Sequence, residues 1–587
     1  MAKKGWNLKD ILPEINSKEY NKLIEELESN VNFIESFRNK LNSNVSINDF
    51  MSIIKTKERI AESIFRLTGY AHLWFSENTS SQEAKSFMAN AEQLATKFSN
   101  RIMFFSLWFK SLDEKSAERI INNISHEYKY YLKYMRILKP HTLTEPEEKI
   151  VNVKDTTGTN ALIKLYNIIT NDFLYTIKIK GKKKELTREQ LSSYVKDKNP
   201  KIRKEAYQEL YKVYSKHSDV LNEIYRNIIL DWKNESLDLR KYPTPMSVRN
   251  KGNDISDKTV NTLLEVCRKN RNLFQEYFKL KAKLCKIKIM TRYDIYTTHG
   301  KSNKKYSYGE AQKLVFNAYT NYSEEMYKLA KKVVDNDHIE YEIRKNKLGG
   351  AYCCDISPKI TPYVMLNHNG DIRDVFTMAH ELGHAVHDLL THNHSILTSH
   401  PPLILAETAS VFGEMLLFDD LIKNTKDKET RKTLLVQKLD DTYATILRQA
   451  YFVLFEIKAH EIIANGADLH ELNKAYMDNL KEQFGNSIKI PEEFKYEWIS
   501  IPHIYNSPFY CYSYTFGNLL TLALYEKYKK EGKSFVQKYL KLLSYGGSEN
   551  PAKVLKELDI DIESEKFWQS GFDLVKEMIE ELKSLTK

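Results

Sequence analysis

The sequence contains little cysteine and no long hydrophobic run, and each absence excludes a class of protein. Five of its 587 residues are cysteine, and they form neither a disulfide framework nor a paired C-x-x-C metal site. An odd number of cysteines suits a reducing compartment. No stretch approaches the roughly 18 uninterrupted apolar residues of a transmembrane helix, and polar residues follow Met1 too closely for a signal-peptide apolar region. The sequence therefore predicts a soluble, cytoplasmic protein with no membrane partner.

The charge pattern argues against a nucleic-acid-binding module. Lys and Arg number 89 against 78 Asp and Glu, which gives a net charge of +11, but both signs are interspersed along the chain. The three consecutive lysines at 182–184 are typical of a solvated turn. No recognition motif for nucleic acid is present. We therefore expect a mildly basic enzyme surface and no nucleic-acid partner.

Helical periodicity dominates the first two hundred residues. Apolar residues such as Leu23, Leu27 and Val31 recur at helical spacing, and a strand is predicted near 174–179 with Gly181 in a hairpin turn. A chain of this length forms one large or two ordinary domains. We predict an N-terminal helical domain over 1–197 and a second domain over 198–587, which carries the chemistry described next.

The main chemical signal is the segment His380-Glu381-Leu-Gly-His384. On a helix, two histidines four residues apart lie on one face, so one Zn²⁺ could accept both imidazoles with Glu381 beside the open coordination position. Asp371 as N-cap and Asp374 at the third helical position predict where this helix begins. The alternative is an amphipathic helix with incidental histidines.

A catalytic zinc site needs a third protein ligand, and two glutamates compete for it. Glu407 and Glu414 lie on a second predicted helix that begins near Pro402, after a polar loop. They are about 10 Å apart along that helix, too far for both to bind one ion. We choose Glu407 as the ligand. Glu414 is left either as a residue behind the ligands or in the channel, or as a solvated or capping carboxylate. His387 cannot join both other histidines on one ion.

Two short strands are predicted immediately before the metal helix, at 349–354 and 363–367. One role is structural, as a small sheet that supports the helix. The other is an edge strand that pairs with an extended peptide, where glycine permits close approach of the backbone. The candidate substrate-binding residues are therefore Gly350, Ala351, Tyr352 and Asn367.

A histidine and several tyrosines cluster near the C-terminus, in the segment His503 to Tyr514. Ser507 and Pro508 predict a helix start, which places Tyr510 and Tyr514 on one face. Such a cluster could donate hydrogen bonds to an oxyanion. Aromatic core packing explains the same residues.

These segments together resemble the oligoendopeptidase F family, within the wider thimet oligopeptidase group of zinc peptidases. The resemblance covers most of the chain and is carried, in the family's order, by Trp6-Asn-Leu-Lys-Asp10, Tyr293-Asp-Ile-Tyr296, Gly350-Ala351-Tyr352, Tyr363-Val-Met-Leu-Asn367, His380-Glu-Leu-Gly-His384, Ala406-Glu407-Thr-Ala-Ser410 and the segment from His503 to Tyr514. It implies a mainly α, prolate, multi-helix zinc peptidase fold. In that fold a small β-sheet lies beside the active-site helix, and a deep channel admits short unstructured peptides.

The resemblance also implies a role for each candidate residue. His380, His384 and Glu407 bind one Zn²⁺ per chain, and Glu381 is the catalytic carboxylate. His503 and a tyrosine near Tyr514 assist the tetrahedral intermediate. Spacing after His503 differs from that of distant thimet members, so the choice among Tyr510, Tyr512 and Tyr514 stays open.

The sequence thus predicts a zinc metalloendopeptidase that hydrolyses internal bonds of short oligopeptides, as a monomer or homodimer. Zn²⁺ would polarise the scissile carbonyl and Glu381 would move the water's proton to the leaving amine. One alternative is a zinc carboxypeptidase or dipeptidyl carboxypeptidase, which uses the same motif. The other is a non-catalytic helical peptide-binding protein that keeps only a vestigial metal site.

Overall fold

Helices make up most of the structure, a computed structural model that describes residues 6–12, 15, 17–179, 181–300 and 304–587. Residues 1–5, which enter the expectation about a signal segment, lie outside the described residues. In chain order the α-helices are α1 (Lys18–Glu35), α2 (Ile47–Glu77), α3 (Gln82–Ser111), α4 (Glu114–Asn123), α5 (His126–Ile137), α6 (Glu145–Thr157), α7 (Thr159–Asn171), α8 (Arg188–Tyr194), α9 (Pro200–Lys216), α10 (Ser218–Trp232), α11 (Pro245–Gly252), α12 (Asp257–Lys269), α13 (Arg271–Leu284), α14 (Tyr308–Tyr322), α15 (Glu324–Asp335), α16 (Ile372–Thr391), α17 (Leu403–Asn424), α18 (Lys428–Thr442), α19 (Arg448–Ala464), α20 (Leu469–Phe484), α21 (Pro502–Asn506), α22 (Tyr512–Glu531), α23 (Lys533–Ser544), α24 (Pro551–Lys556) and α25 (Glu565–Thr586). The mainly α prediction is confirmed.

The chain divides into two compact units, each assembled from three separate stretches. The first unit comprises Met1–Glu145, Asn303–Leu421 and Lys527–Ile560. The second comprises Pro146–Ser302, Ile422–Glu526 and Asp561–Lys587. This division follows spatial contacts rather than a single cut in the chain, and the domain boundary at 197 stays a prediction.

The N-terminal helices of the first unit begin at serine caps and bury one apolar face. Ser17 Oγ accepts a hydrogen bond from the backbone N–H of Tyr20, at 3.1 Å, which satisfies a donor that the first helical turn leaves without an intrahelical acceptor. Along α1 the buried residues Leu23, Leu27 and Val31 follow the predicted spacing. This face packs against α2 and α3 and builds the apolar core of the unit.

Strands occur as one hairpin and one small sheet among the described residues. The hairpin pairs β1 (Tyr175–Ile179) with β2 (Lys182–Leu186), and Gly181 in its turn has φ +79°. The sheet has the order β3 (Ile339–Glu340), β5 (Tyr363–Met365), β4 (Tyr352–Cys354), with β4 antiparallel to β5. Helix α16 packs against β4 and β5. The predicted sheet beside the motif helix is confirmed.

The lengths and hydropathy of the described helices test whether any of them could cross a membrane. Not one of them combines the length and the apolar character that crossing a bilayer requires.

Candidate metal centre

Helix α16 begins at the predicted cap and carries both motif histidines. The backbone N–H of Asp371 donates to Asp374 Oδ2 at 3.0 Å, which closes the capping box. The apolar side of α16, including Val375 and Leu382, is fully buried. His380 and His384 lie one turn apart, with ring centroids 4.9 Å from each other.

Two glycines allow α16 and α17 to touch through their backbones. A Cβ on Gly383 would lie 2.6 Å from the carbonyl oxygen of Ala409 and 2.6 Å from Ser410 Cα. A Cβ on Gly413 would lie 2.9 Å from the carbonyl oxygen of Ala379. No side chain fits at such distances, so glycine at both positions brings the carboxylate of α17 within reach of the histidines.

Glu407 of α17 faces both histidines. Its Oε2 lies 3.3 Å from His380 Nε2 and 3.6 Å from His384 Nε2. The hydroxyl of Ser410, one turn later on α17, donates to the same oxygen at 2.9 Å and fixes the carboxylate. One ligand atom from each of the three residues lies within 4.8 Å of the others. The predicted set is therefore brought together in one place.

Glu414 contacts the opposite side of the His380 ring. Its Oε1 lies 2.7 Å from His380 Nδ1, which leaves Nε2 directed towards Glu407. A carboxylate on the far nitrogen fixes the tautomer and orientation of a metal-binding histidine. Among the roles that the sequence left open for Glu414, this contact fits a position behind the ligands.

The protonation of the three residues follows from burial and from their mutual contacts. Burial lowers the pKa of His384 to about 4. Burial works against charge on Glu407, but the hydrogen bond from His380 and the charges of both histidines lower its pKa to about 2. Burial likewise opposes protonation of His380, yet its contacts with Glu407 and Glu414 raise its pKa well above the ordinary value. An ionised Glu407 and a neutral His384 are the forms that bind a metal.

Glu381 is the buried carboxyl of the motif, with 6% of its surface exposed. Burial raises its pKa to about 7, and the charge of His380 and a hydrogen bond from the backbone of Cys353 in β4 act in the opposite direction. Strand β4 therefore orients this carboxyl directly. Glu381 lines a cavity of about 530 Å³ together with His380, His384, His387, Glu407 and residues of β4.

Three of the four predicted substrate-binding residues line a neighbouring recess, and the fourth, Tyr352, lines the cavity that contains Glu381. Gly350, Ala351 and Asn367 line a cavity of about 310 Å³. Asn367 Nδ2 donates to the carbonyl oxygen of Gly350 at 2.7 Å, and Gly350 has φ +83°, a conformation that favours glycine. Tyr352 lies in β4 with its ring 5.0 Å from that of His72, so its aromatic face is used in packing. β4 is an edge strand of its sheet.

His503, Tyr510 and Tyr514 form an aromatic cluster in the second unit. The His503 ring centroid lies 6.3 Å from that of Tyr510 and 6.0 Å from that of Tyr514. Burial, followed by the charge of Arg448, lowers the pKa of His503, so its imidazole is neutral. Tyr512 points elsewhere, because its hydroxyl accepts a hydrogen bond from Asn253 Nδ2 at 2.7 Å. Tyr510 and Tyr514 are thus the tyrosines whose rings lie near His503, and the choice of a catalytic tyrosine stays a prediction.

The glycines and Ser410 are parts of the site that the sequence motifs did not single out. Gly383 lies inside the motif, and Ala409, Ser410 and Gly413 supply small residues at adjacent turns of α17. A run of small residues facing a glycine is the signal for close helix approach, and it could have favoured Glu407 over Glu414.

The donor chemistry of the cluster fits a metal ion. Two imidazoles and one carboxylate are a ligand set of hydrolytic zinc sites. The buried carboxyl of Glu381 lies beside them without being a ligand. Among the described residues a second group, Asp155, Asp231 and Glu235, also places ligand atoms within 4.8 Å. That group offers oxygen alone, and Arg240 Nε already pairs with Glu235 Oε1 at 2.7 Å. The histidine-containing group is therefore the better candidate.

Comparison with known proteins gives consistent matches along the whole chain. The family description "Peptidase family M3" matches residues 193–574, and "Oligopeptidase F" matches residues 108–175. Oligopeptidase PepF of Bacillus subtilis is 25% identical over 100% of this chain and 87% of its own length. An oligoendopeptidase F homolog of Borreliella burgdorferi is 27% identical over 99% of this chain and 98% of its own. A crystal structure from Chlamydophila abortus superposes with a TM-score of 0.87 at 25% identity, over 99% of this chain and 98% of that one.

Proposed function

The chain belongs to peptidase family M3 and is a metallopeptidase, and we propose that it is a zinc endopeptidase of short, unstructured oligopeptides. The observation that carries this proposal is the convergence of His380, His384 and Glu407, with the buried Glu381 beside them. The names of the relatives from Bacillus subtilis and Borreliella burgdorferi, an oligopeptidase and an oligoendopeptidase, support the substrate class.

His380, His384 and Glu407 would hold the metal, with Glu414 and Ser410 orienting His380 and Glu407. When bound, the metal acts as a Lewis acid that polarises the scissile carbonyl and makes water acidic. Two imidazoles and one carboxylate favour zinc over magnesium or calcium, which prefer oxygen ligands. We expect a chelator to abolish peptide cleavage and equimolar zinc to restore it, whereas added magnesium should not.

Glu381 is the proposed general base and acid. It accepts one proton from the attacking water as the new C–O bond forms, and it delivers that proton to the leaving nitrogen as the C–N bond breaks. Its position beside the ligand set and its contact with β4 hold the carboxyl towards the cavity. Proton transfer by a positioned side chain contributes about 10²- to 10⁴-fold to a rate.

His503 and Tyr514, with Tyr510 as the alternative to Tyr514, are proposed to donate hydrogen bonds to the oxyanion of the tetrahedral intermediate. The neutral imidazole and the phenol hydroxyls are the donor types that such stabilisation needs. We expect His503→Ala and Tyr514→Phe each to lower kcat by about 10²- to 10³-fold with little change in zinc content. An unaltered kcat in either variant would remove that residue from the mechanism.

The edge of β4 and the recess around Gly350, Ala351 and Asn367 are proposed to hold the substrate backbone. Main-chain hydrogen bonding to an edge strand is insensitive to side chains. We therefore expect selection by peptide length to exceed selection by sequence.

The catalytic role of Glu381 is tested with Glu381→Gln, which keeps the shape and removes the base. Cleavage of a quenched octapeptide should fall by at least 10²-fold, with zinc content unchanged by metal analysis. Glu118→Gln changes an exposed glutamate of α4 and serves as the control. Activity of the Glu381 variant within tenfold of the parent, with zinc bound, would contradict the assignment.

Endopeptidase action is tested with a peptide blocked at both ends. An endopeptidase should cleave it internally, and mass spectrometry of the products locates the bond. A carboxypeptidase or dipeptidyl carboxypeptidase would leave the peptide intact, and a non-catalytic binding protein would leave every peptide intact. The cytoplasmic location and the choice between monomer and homodimer stay predictions.

A further inference from the structure

A second cavity lies wholly within the second unit and is mostly apolar. Its volume is about 600 Å³, within the range of sites that bind small molecules. Its apolar wall is formed by Ile229, Leu237, Pro245, Met246, Ile457, Ala464 and Phe509. A cavity of this size and lining accepts an apolar body of one or two rings.

His460 contributes a buried imidazole ring to the wall of this cavity. The side chain lines the cavity and is 4% exposed, and its ring packs 4.6 Å from that of Phe509. Burial lowers its pKa to about 3, so the imidazole is neutral. Its Nδ1 is sealed from solvent and has no hydrogen-bond partner in the part of the chain that the structure describes.

The orphaned Nδ1 decides which hydrogen-bonding group the ring presents. A buried N–H without a partner is rarer than a buried acceptor without one, so the proton belongs on Nε2. Because His460 lines the cavity while its Nδ1 is sealed, Nε2–H is the donor that the ring can offer to an occupant. An occupant must bring an acceptor oxygen or nitrogen to use it.

The charged residues around the cavity are already paired with neighbours. Lys233 Nζ lies 2.8 Å from Asp238 Oδ2, and Glu461 Oε1 lies 3.0 Å from Lys458 Nζ. Asp257 accepts hydrogen bonds from the side chains of Ser247 and Asn250, each at 2.7 Å. A charged ligand would therefore lose hydration without gaining an unpaired counter-charge.

The wall formed by Phe509 connects this cavity to the turn between α21 and α22. Phe509 has φ +57°, unfavourable for a side chain of its size, and its N–H donates to Glu456 Oε1 at 2.8 Å. The same turn joins the helices that carry His503 and Tyr514. An occupant of the cavity would contact this strained turn.

We propose that the cavity binds an uncharged aromatic small molecule whose acceptor oxygen receives a hydrogen bond from His460 Nε2–H. This site shares no residue with the metal centre and does not depend on the proposed peptidase chemistry. Acetophenone is the probe, since it has one ring and one carbonyl acceptor. α-Methylstyrene has the same shape with CH₂ in place of the oxygen, and benzoate adds a charge.

Calorimetric or saturation-transfer titration of the full-length protein tests the proposal. Acetophenone should bind the parent about fivefold more tightly than α-methylstyrene, the effect of one hydrogen bond. His460→Phe should remove that difference. Ala464 lies at an exposed position on the cavity wall, so Ala464→Trp should abolish binding of both probes. Ala89→Trp changes an exposed residue of α3 and should leave binding unchanged.

Three outcomes would overturn the proposal. The first is the absence of acetophenone binding to the parent at millimolar concentration. The second is binding that survives Ala464→Trp, which would place the probe elsewhere. The third is benzoate binding as tightly as acetophenone, which would show that the site recognises charge. Circular dichroism and thermal unfolding of all three variants verify that they fold.

Discussion

At the scale of single residues, the metal centre depends on which atom of each side chain faces which neighbour. His380 presents Nε2 to Glu407 because Nδ1 is held by Glu414 at 2.7 Å. Glu407 is held in turn by Ser410. The residues behind the ligands therefore determine whether three donors converge, since a rotated imidazole would direct the wrong nitrogen at the ion.

The contribution of Glu414 can be measured by removing its carboxylate. We expect Glu414→Ala to weaken zinc affinity by about 10- to 100-fold, because His380 loses the partner that orients it. Competition with a fluorescent zinc chelator measures the affinity. Glu414→Gln, which keeps an acceptor oxygen, should lie between the parent and the alanine variant. Equal affinities of all three proteins would show that Glu414 has no part in metal binding.

At the scale of elements, the site is a product of how closely two helices pack. The backbones of α16 and α17 meet at Gly383 and Gly413, where even a methyl group would overlap main-chain atoms. The start of α22 also differs from the prediction. Ser507 and Pro508 have the residue types of a helix start, but α22 begins at Tyr512, because Phe509 adopts positive φ and interrupts the helical backbone.

The close approach of α16 and α17 predicts the effect of one added methyl group. In Gly383→Ala the new Cβ would lie 2.6 Å from Ala409 O, so the helices must separate. We expect a loss of about 1–3 kcal/mol in the free energy of unfolding, as for other overpacked cores, together with weaker zinc binding. Urea unfolding and metal analysis report the two effects.

Gly309→Ala is the matched control for this change. It also adds a methyl group to a helix of the same unit, but that Cβ would meet no atom within 4 Å. A Gly383 variant as stable and as zinc-loaded as the Gly309 variant would contradict the role given to the contact between α16 and α17.

At the scale of the whole molecule, stability also depends on a buried ionisable group that is no part of the metal centre. Burial raises the pKa of Glu456 to about 8, against a smaller opposing effect of the Phe509 N–H. The folded protein therefore binds one proton more than the unfolded chain between pH 4.5 and about 8. Stability from this group is complete below pH 4.5 and is lost as the pH rises through about 8.

A pH series of urea unfolding tests this dependence. We expect the parent to lose on the order of 4 kcal/mol between pH 5 and 9 through Glu456 alone. Glu456→Gln keeps the shape of the buried side chain and should not show this part of the loss, so the two curves should diverge between pH 5 and about 8. Parallel curves would show that Glu456 ionises in the folded protein as it does in the unfolded chain.

The sequence by itself determined the elements and the ligand types. Local capping groups such as Asp371 and Ser17 and apolar spacing along α1 are properties of neighbouring residues, and the helices follow them. Two histidines four apart on a helix share a face for the same reason. The small sheet was also predictable, because β4 and β5 are short segments next to a helix start.

Only the tertiary structure decided which distant residues meet. Glu407 faces the histidines and Glu414 lies behind them because α16 and α17 approach closely at glycines. No local sequence pattern encodes the distance between these two helices. The hydroxyl of Tyr512 accepts a hydrogen bond from Asn253, more than two hundred residues earlier in the chain. His460 is buried beside Phe509, which lies in a strained turn with positive φ. Several side chains are equally plausible site residues by sequence, and packing between elements determines which of them reach the site.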